Sequence, residues 1–412
     1  MKSSLPTRAT GAAAIVLAML AGSTSALADL KGPSTNQEAY TLGSSPGVKV
    51  VSIASNGNGT AGLADETYFN LNTGIKDYRL VGIPDGIGAI DNRDGTFSMF
   101  VNHELGSNVG AVRAHGNRGA FVSEWKIRAG SNLSPDSLSA TDFEVIGARD
   151  SATTYKLYNT VTEAYQTYNA GTPMPRYTGS GTAVSTGWSA NPNLDGIGRY
   201  CSSDLADASA YTFTAGVGTV YGTDARILLN GEEIGSTGRT FAHPLTGAEA
   251  NTVYELPRLG DFSWENAVAS PFSQRKTVVL GLDDSSPRQL YFDVGDKQAT
   301  GNDIEKAGLT NGKLFGLQIA NPSTAPVTGG TELPGATRPV ESRPFALGNS
   351  VDGRSESKPF TLYDFGDVSR TPGSAGNIAT GTGLQQIGDR NSVLNFLRPE
   401  DGVFDPGNKN AA

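Results

Sequence analysis

Phe97-Ser98-Met99-Phe100-Val101-Asn102-His103-Glu104 is the stretch that decides the fold. Large apolar side chains stand at alternate positions and then give way to polar ones, the period of two that marks a strand with one face on a core. Asn92-Arg93-Asp94-Gly95 lies directly upstream and carries an Asp-Gly turn signal. At the far end the alternation sends Asn102 and Glu104 to one face and His103 to the other.

The same grammar recurs outward from this segment. Val48–Ile53, Phe121–Ile127, Ala225–Leu229, Lys276–Leu280, Gln289–Val294 and Lys313–Ile319 are short apolar runs, many of them bounded by Gly, Asn or Asp. Glycine supplies 52 of 412 residues and proline 21, which suits many short strands joined by turns. The chain therefore reads as all-β. Helical signals are few, with Gly181–Ala190 and Asp303–Ala307 the best short candidates; surface loops are expected at Ala320–Glu332 and Arg370–Thr382, and an insertion or long hairpin at Ala148–Asn169.

Residues 1–28 combine Lys2 and Arg8, an apolar run over Ala12–Ala21, and Ala26-Leu27-Ala28 before Asp29. This is the pattern of a secretory signal peptide, and it predicts a secreted or periplasmic protein. The apolar run is too short for a membrane span, and no later stretch is long enough. The formal net charge is −9. That balance argues against a nucleic-acid partner, which asks for clustered basic surface, and suits multivalent cations.

Cys201 is the only cysteine, so it has no partner within the chain for a disulfide. In an oxidising compartment a lone thiol points to metal ligation, nucleophilic chemistry or plain burial. The three histidines, His103, His115 and His243, read as hydrogen-bonded structural residues rather than ligands. Zinc spacings of Cys and His, a P-loop and a credible nucleophile elbow are all missing. Instead, acidic motifs follow strands repeatedly: Glu104, Glu232-Glu233, Asp283-Asp284 and Glu400, with Glu265 beside Trp264. A propeller with a metal centre on its axis needs such motifs, one from the inner edge of each blade. Carboxylates plus one thiolate make a mixed donor set, oxygen for calcium and sulfur for a transition metal such as iron.

Asn102-His103-Glu104, Gly119-Ala120-Phe121-Val122-Ser123, Asn230-Gly231-Glu232-Glu233, Tyr254-Glu255-Leu256-Pro257, Trp264-Glu265-Asn266 and Arg398-Pro399-Glu400 occur in that order. As an ordered set over roughly residues 80–405 they resemble the secreted PhoX-type bacterial alkaline phosphatases and their relatives of unassigned function. The resemblance implies a β-propeller, six-bladed or degenerate, whose central Fe3+ and Ca2+ ions serve hydrolysis of phosphate monoesters. By motif, Glu104, Glu232, Glu233 and Glu400 would be metal ligands, Cys201 the thiolate ligand, and Arg398 the residue facing phosphate. Glu265, Asp283 and Asp284 are weaker candidates. Residues 29–412 would form one propeller domain with insertions near 148–190 and 320–345. The chain stops soon after Gly402, so a propeller lacking its final blade is the expectation. A competing expectation is a calcium-binding propeller without catalysis, and a third is a lactonase on the same scaffold.

Overall fold

The computed structural model describes residues 30–41, 48–56, 66–131, 133, 138–159, 163–171, 176–177, 188–189, 196–216, 218–285, 288–319, 323–326, 337–340, 360–369, 381–396, 398–405 and 407. Residues 1–28, the expected signal peptide, lie outside them. Among the described residues no helix is long and apolar enough to cross a membrane.

Three antiparallel meanders dominate. The first runs Pro84–Asp91, Thr96–His103, Phe121–Ala129, Phe143–Asp150, in sequence order. Its opening hairpin turns at Asn92–Gly95, where Arg93 and Gly95 take φ of 59° and 81°. The Asp91 and Asp94 carboxylates fix that turn by accepting from the backbone N–H of Arg93 and Thr96. The second meander is Tyr200–Asp204, Ile227–Glu232, Thr240–Pro244, Thr252–Glu255. The hairpin Thr154–Asn159/Ala164–Asn169 extends it by parallel pairing onto Thr252–Glu255, so the Tyr- and Thr-rich stretch is a hairpin on this sheet. The third is Trp264–Ala269, Lys276–Asp283, Arg288–Asp296, Lys313–Ile319, with Phe360–Gly366 added after it.

Alternation explains how the meanders stack. Phe100 on one face of its strand joins Val122, Tyr200, Leu228 and Phe241 between the first two meanders, while Val101 on the other face packs with Trp125 and Ile127. Ile227 and Leu229, the neighbours of Leu228, face a different core with Trp264, Val279, Tyr291 and Leu314 from the third meander. Phe262 and Trp264 stack there with ring centroids 3.9 Å apart. Each such buried aromatic contributes about 1.5–3 kcal/mol over its exposed state.

The all-β class holds, with short helical exceptions such as Asp303–Lys306 and Gly381–Arg390. Asn302 caps the first of these by accepting from Glu305 N–H at 2.9 Å, as the expected helix there requires. Closure into a ring is not shown: among the described residues the meanders remain separate open sheets. Three local expectations need correction. Gly381–Thr382, the end of the expected loop Arg370–Thr382, opens the helix Gly381–Arg390, and residues 370–380 lie outside the described residues. Trp188–Ser189, within the expected helix Gly181–Ala190, is a strand paired with Arg176–Tyr177, and the rest of that span lies outside the described residues. Ser323–Pro326, expected as loop, is a strand paired with Thr337–Val340.

Candidate metal centre

The first strands of the three meanders converge, because Tyr200–Asp204 packs against both Pro84–Asp91 and Trp264–Ala269. Each of the three is bulged at the same place. Pro84 pairs with His103 and Ile87 with Val101; Tyr200 pairs with Glu232 and Ser203 with Asn230; Trp264 pairs with Asp283 and Asn266 with Leu282. In every case the first strand carries one residue more than its partner. The bulges hold Asp85, Cys201 and Glu265, each the second residue of its strand. A bulge breaks the two-residue alternation and re-aims a side chain, which is why such features gather at functional sites.

The second strands add a matching contribution. Glu104, Glu233 and Asp284 each follow directly on the last strand residue. Their backbone N–H groups make equivalent bonds to the residue two before each bulge donor: Glu104 to Ile83 O at 3.0 Å, Glu233 to Arg199 O at 2.9 Å, Asp284 to Ser263 O at 2.8 Å. The preceding residues, His103, Glu232 and Asp283, are buried in all three meanders.

Donor atoms of Asp85, Glu104 and Cys201 all lie within 4.8 Å of one another, and so do those of Cys201, Glu233 and Glu265. Cys201 Sγ is shared by the two triads; it donates to Glu265 Oε1 at 3.1 Å and lies 3.5 Å from Asp85 Oδ2. Burial pushes the thiol well above its usual range, and the Glu265 and Asp85 carboxylates add to that. Burial also raises Glu265, to about 7, helped by the charges of Glu233, Asp85 and Asp284. Asp85 rises from burial and from Glu104 and Asp401. Glu233 rises from burial, which outweighs the opposing pull of Arg199. Like charges crowded against a buried thiol are what a multivalent cation relieves, and the donor chemistry, one soft sulfur among hard oxygens, fits a transition metal beside calcium.

Arg199 spans the two triads. Its Nε donates to Glu104 Oε1 at 2.8 Å, its Nη2 to the same oxygen, and Nη2 lies 2.7 Å from Glu233 Oε2. Beneath the centre runs a buried amide chain: His243 Nε2 to Asn230 Oδ1 at 2.9 Å, Asn230 Nδ2 to Asn102 Oδ1 at 3.0 Å, Asn102 Nδ2 to Cys201 O at 2.6 Å. Burial lowers His243 to about 3, so it is neutral, and Nε2–H donates. His103 is likewise structural, bonded to Val81 O and Ser123 Oγ at 2.5 and 2.7 Å, and His115 packs on Tyr155.

Of the residues singled out by sequence, Glu104, Cys201 and Glu233 come together, joined by the weaker candidate Glu265. Glu232 does not join them. Strand alternation turns it inward, where it is 1% exposed and accepts from Arg239 Nε at 2.7 Å, Arg239 Nη2 at 3.1 Å and Gly198 N–H at 2.9 Å. Asp283 turns inward in the same way, toward Arg288 at 3.8 Å. Arg398 grips Asp284 with Nε and Nη2 at 2.8 and 2.6 Å and stays 61% exposed. Glu400 lies 3.0 Å from Arg398 Nη2, outside both triads. Asp85 escaped the sequence reading altogether.

A solved structure that resembles this chain is PhoX. Pseudomonas fluorescens PhoX in complex with vanadate, a transition state analogue, is similar at a TM-score of 0.38 and 12% identity, over 62% of this chain and 51% of that one. The chain thus spans about half the length of the structure it matches. No protein-family model matches it, and neither does any curated protein.

Proposed function

We propose that the chain is an extracytoplasmic, metal-dependent phosphatase that hydrolyses phosphate monoesters, with Fe3+ and Ca2+ held by the converging strands. In this reading the three meanders are consecutive blades of a propeller, and their bulged inner strands surround the metals. The observation that carries it is the pair of donor triads sharing Cys201. Asp85, Glu104 and Cys201 would hold one cation; Cys201, Glu233 and Glu265 would hold another. Bound cations would polarise the phosphoryl oxygens and lower the pKa of a water.

The protein's own side chains supply orientation. Asp284 holds the Nε–Nη2 edge of Arg398, so the exposed guanidinium would offer its Nη1 side to a phosphate oxygen. Asn102 holds the carbonyl of Cys201, which fixes where the sulfur stands. A protein nucleophile is not needed, because a water activated at the centre would attack phosphorus.

Elemental analysis of the purified protein, with p-nitrophenyl phosphate turnover at alkaline pH, tests the proposal. Iron and calcium with turnover that is lost in Glu104→Ala and Glu233→Ala would uphold it. Calcium without iron or turnover would favour a calcium-binding module, and turnover of lactones but not phosphate esters would favour a lactonase. A folded protein without any metal would sink the site.

A further inference from the structure

Two arginines occupy equivalent places in the repeated frame. Arg199 stands two residues before Cys201 and Arg398 two before Glu400. Both have left-handed backbones, φ 31° and 50°. Arg199 N–H donates to Leu105 O at 2.8 Å and Arg398 N–H to Ser285 O at 3.2 Å, in each case the carbonyl just past a post-strand carboxylate. Each guanidinium then grips that carboxylate, Glu104 or Asp284. The remaining equivalents, Ile83 and Ser263, carry no charge.

Arg199 goes further than Arg398, for it also reaches Glu233 and so ties one carboxylate of each triad. Its side chain is 47% exposed, whereas Glu104 and Glu233 are 9% and 13% exposed. A solvated cation thus sits on carboxylate oxygens that a metal would need, and the same oxygens cannot serve both at full strength. Resting on the metal-centre reading above, we propose that Arg199 is a displaceable counterion: it neutralises Glu104 and Glu233 in the metal-free protein and gives them up when cations bind. The main-chain bonds of Arg199 to Leu105 and Glu233 keep the loop in place while the side chain moves.

The sign of one effect separates this from a purely structural clamp. A clamp that organises ligands would weaken metal binding when cut; a competing counterion would strengthen it. Glycine accepts a positive φ at no steric cost, so Arg199→Gly preserves the backbone and its two bonds. Calorimetric titration of chelator-stripped protein with Ca2+ alone should show affinity at least tenfold higher in Arg199→Gly than in the wild type, with Arg199→Lys in between. Arg118→Gln, which removes an equal charge from an arginine bonded to Gly110 O outside the triads, should leave affinity unchanged. Unchanged or weaker Ca2+ binding in Arg199→Gly overturns the proposal, as does an equal gain in Arg118→Gln. Binding in Arg199→Gly but not in the wild type upholds it. Failure of the wild type and every variant to bind Ca2+ refutes the metal centre itself, and the counterion with it.

Discussion

Glu232 and Glu233 are adjacent carboxylates with opposite duties, and alanine at each should separate stability from metal binding. Glu232 is buried and receives three side-chain or main-chain donors besides the Arg239 N–H at 3.3 Å. Its partner Arg239 is itself only 10% exposed, packed against the Phe241 ring. Removing Glu232 strands a buried guanidinium, a loss of about 3–5 kcal/mol. Glu233 pairs with the half-exposed Arg199, where solvent screening holds the loss to about 0–1 kcal/mol. Urea unfolding of the metal-stripped protein, at unchanged slope, should therefore show a large fall in midpoint for Glu232→Ala and almost none for Glu233→Ala. Metal content of folded protein should show the reverse order. Equal destabilisation by the two variants would refute the assignment of Glu232 to the core.

Three further outcomes follow from the geometry. A Cβ on Gly86 would meet Ser203 N at 2.2 Å, so Gly86→Ala should push Pro84–Asp91 away from Tyr200–Asp204, costing about 1–3 kcal/mol and displacing Asp85; unchanged thermal stability and metal affinity would contradict the close approach. Asn102→Ala leaves Asn230 and the Cys201 carbonyl short of partners, a loss of about 1–3 kcal/mol by urea titration, accompanied by weaker metal binding; stability without change would show the amide chain to be incidental. Glu255 and Asp204 should each contribute stability that is lost as pH rises through about 6 to 7, while the three buried histidines act in the opposite sense, so the Glu255 contribution is read as the difference between the metal-free wild type and Glu255→Gln. Burial raises Glu255 to about 7 and Asp204 to about 6, so the folded state keeps protons that the unfolded chain has already released. Glu255→Gln should therefore gain stability relative to the wild type between about pH 5.5 and 8, and a difference that stays constant with pH would rule out a raised Glu255.

Much of this was legible in the residues. Phe97–Glu104 announced its strand, its turn and the projection of Glu104, and burial of His103 and His243 follows the expected structural role. Cys201 drew attention by being alone. The ambiguity at Glu232-Glu233 and Asp283-Asp284 came from strand phase: two adjacent acids read alike until the last ladder pair is known, and that pair decides which one turns inward. Asp85 was hidden for a related reason. Gly82-Ile83-Pro84-Asp85-Gly86 has the composition of a turn, and the bulge that aims Asp85 inward is a register property, absent from any local pattern. The repeat was invisible because its equivalent positions hold Asp, Cys and Glu in one row, and Ile, Arg and Ser in another.

That mixture of identities on a constant frame has a consequence for how such a centre can change. Main-chain bonds at Ile83, Arg199 and Ser263 set where each donor stands, and none of them depends on what the donor is. The donor atom at each bulge of the proposed centre is therefore an exchangeable part. Swapping sulfur for oxygen at one bulge would alter the hardness of the proposed centre, and with it the preferred ion, while the scaffold stays as it was. A lineage built on this frame could move between metals one substitution at a time, without passing through an unfolded ancestor.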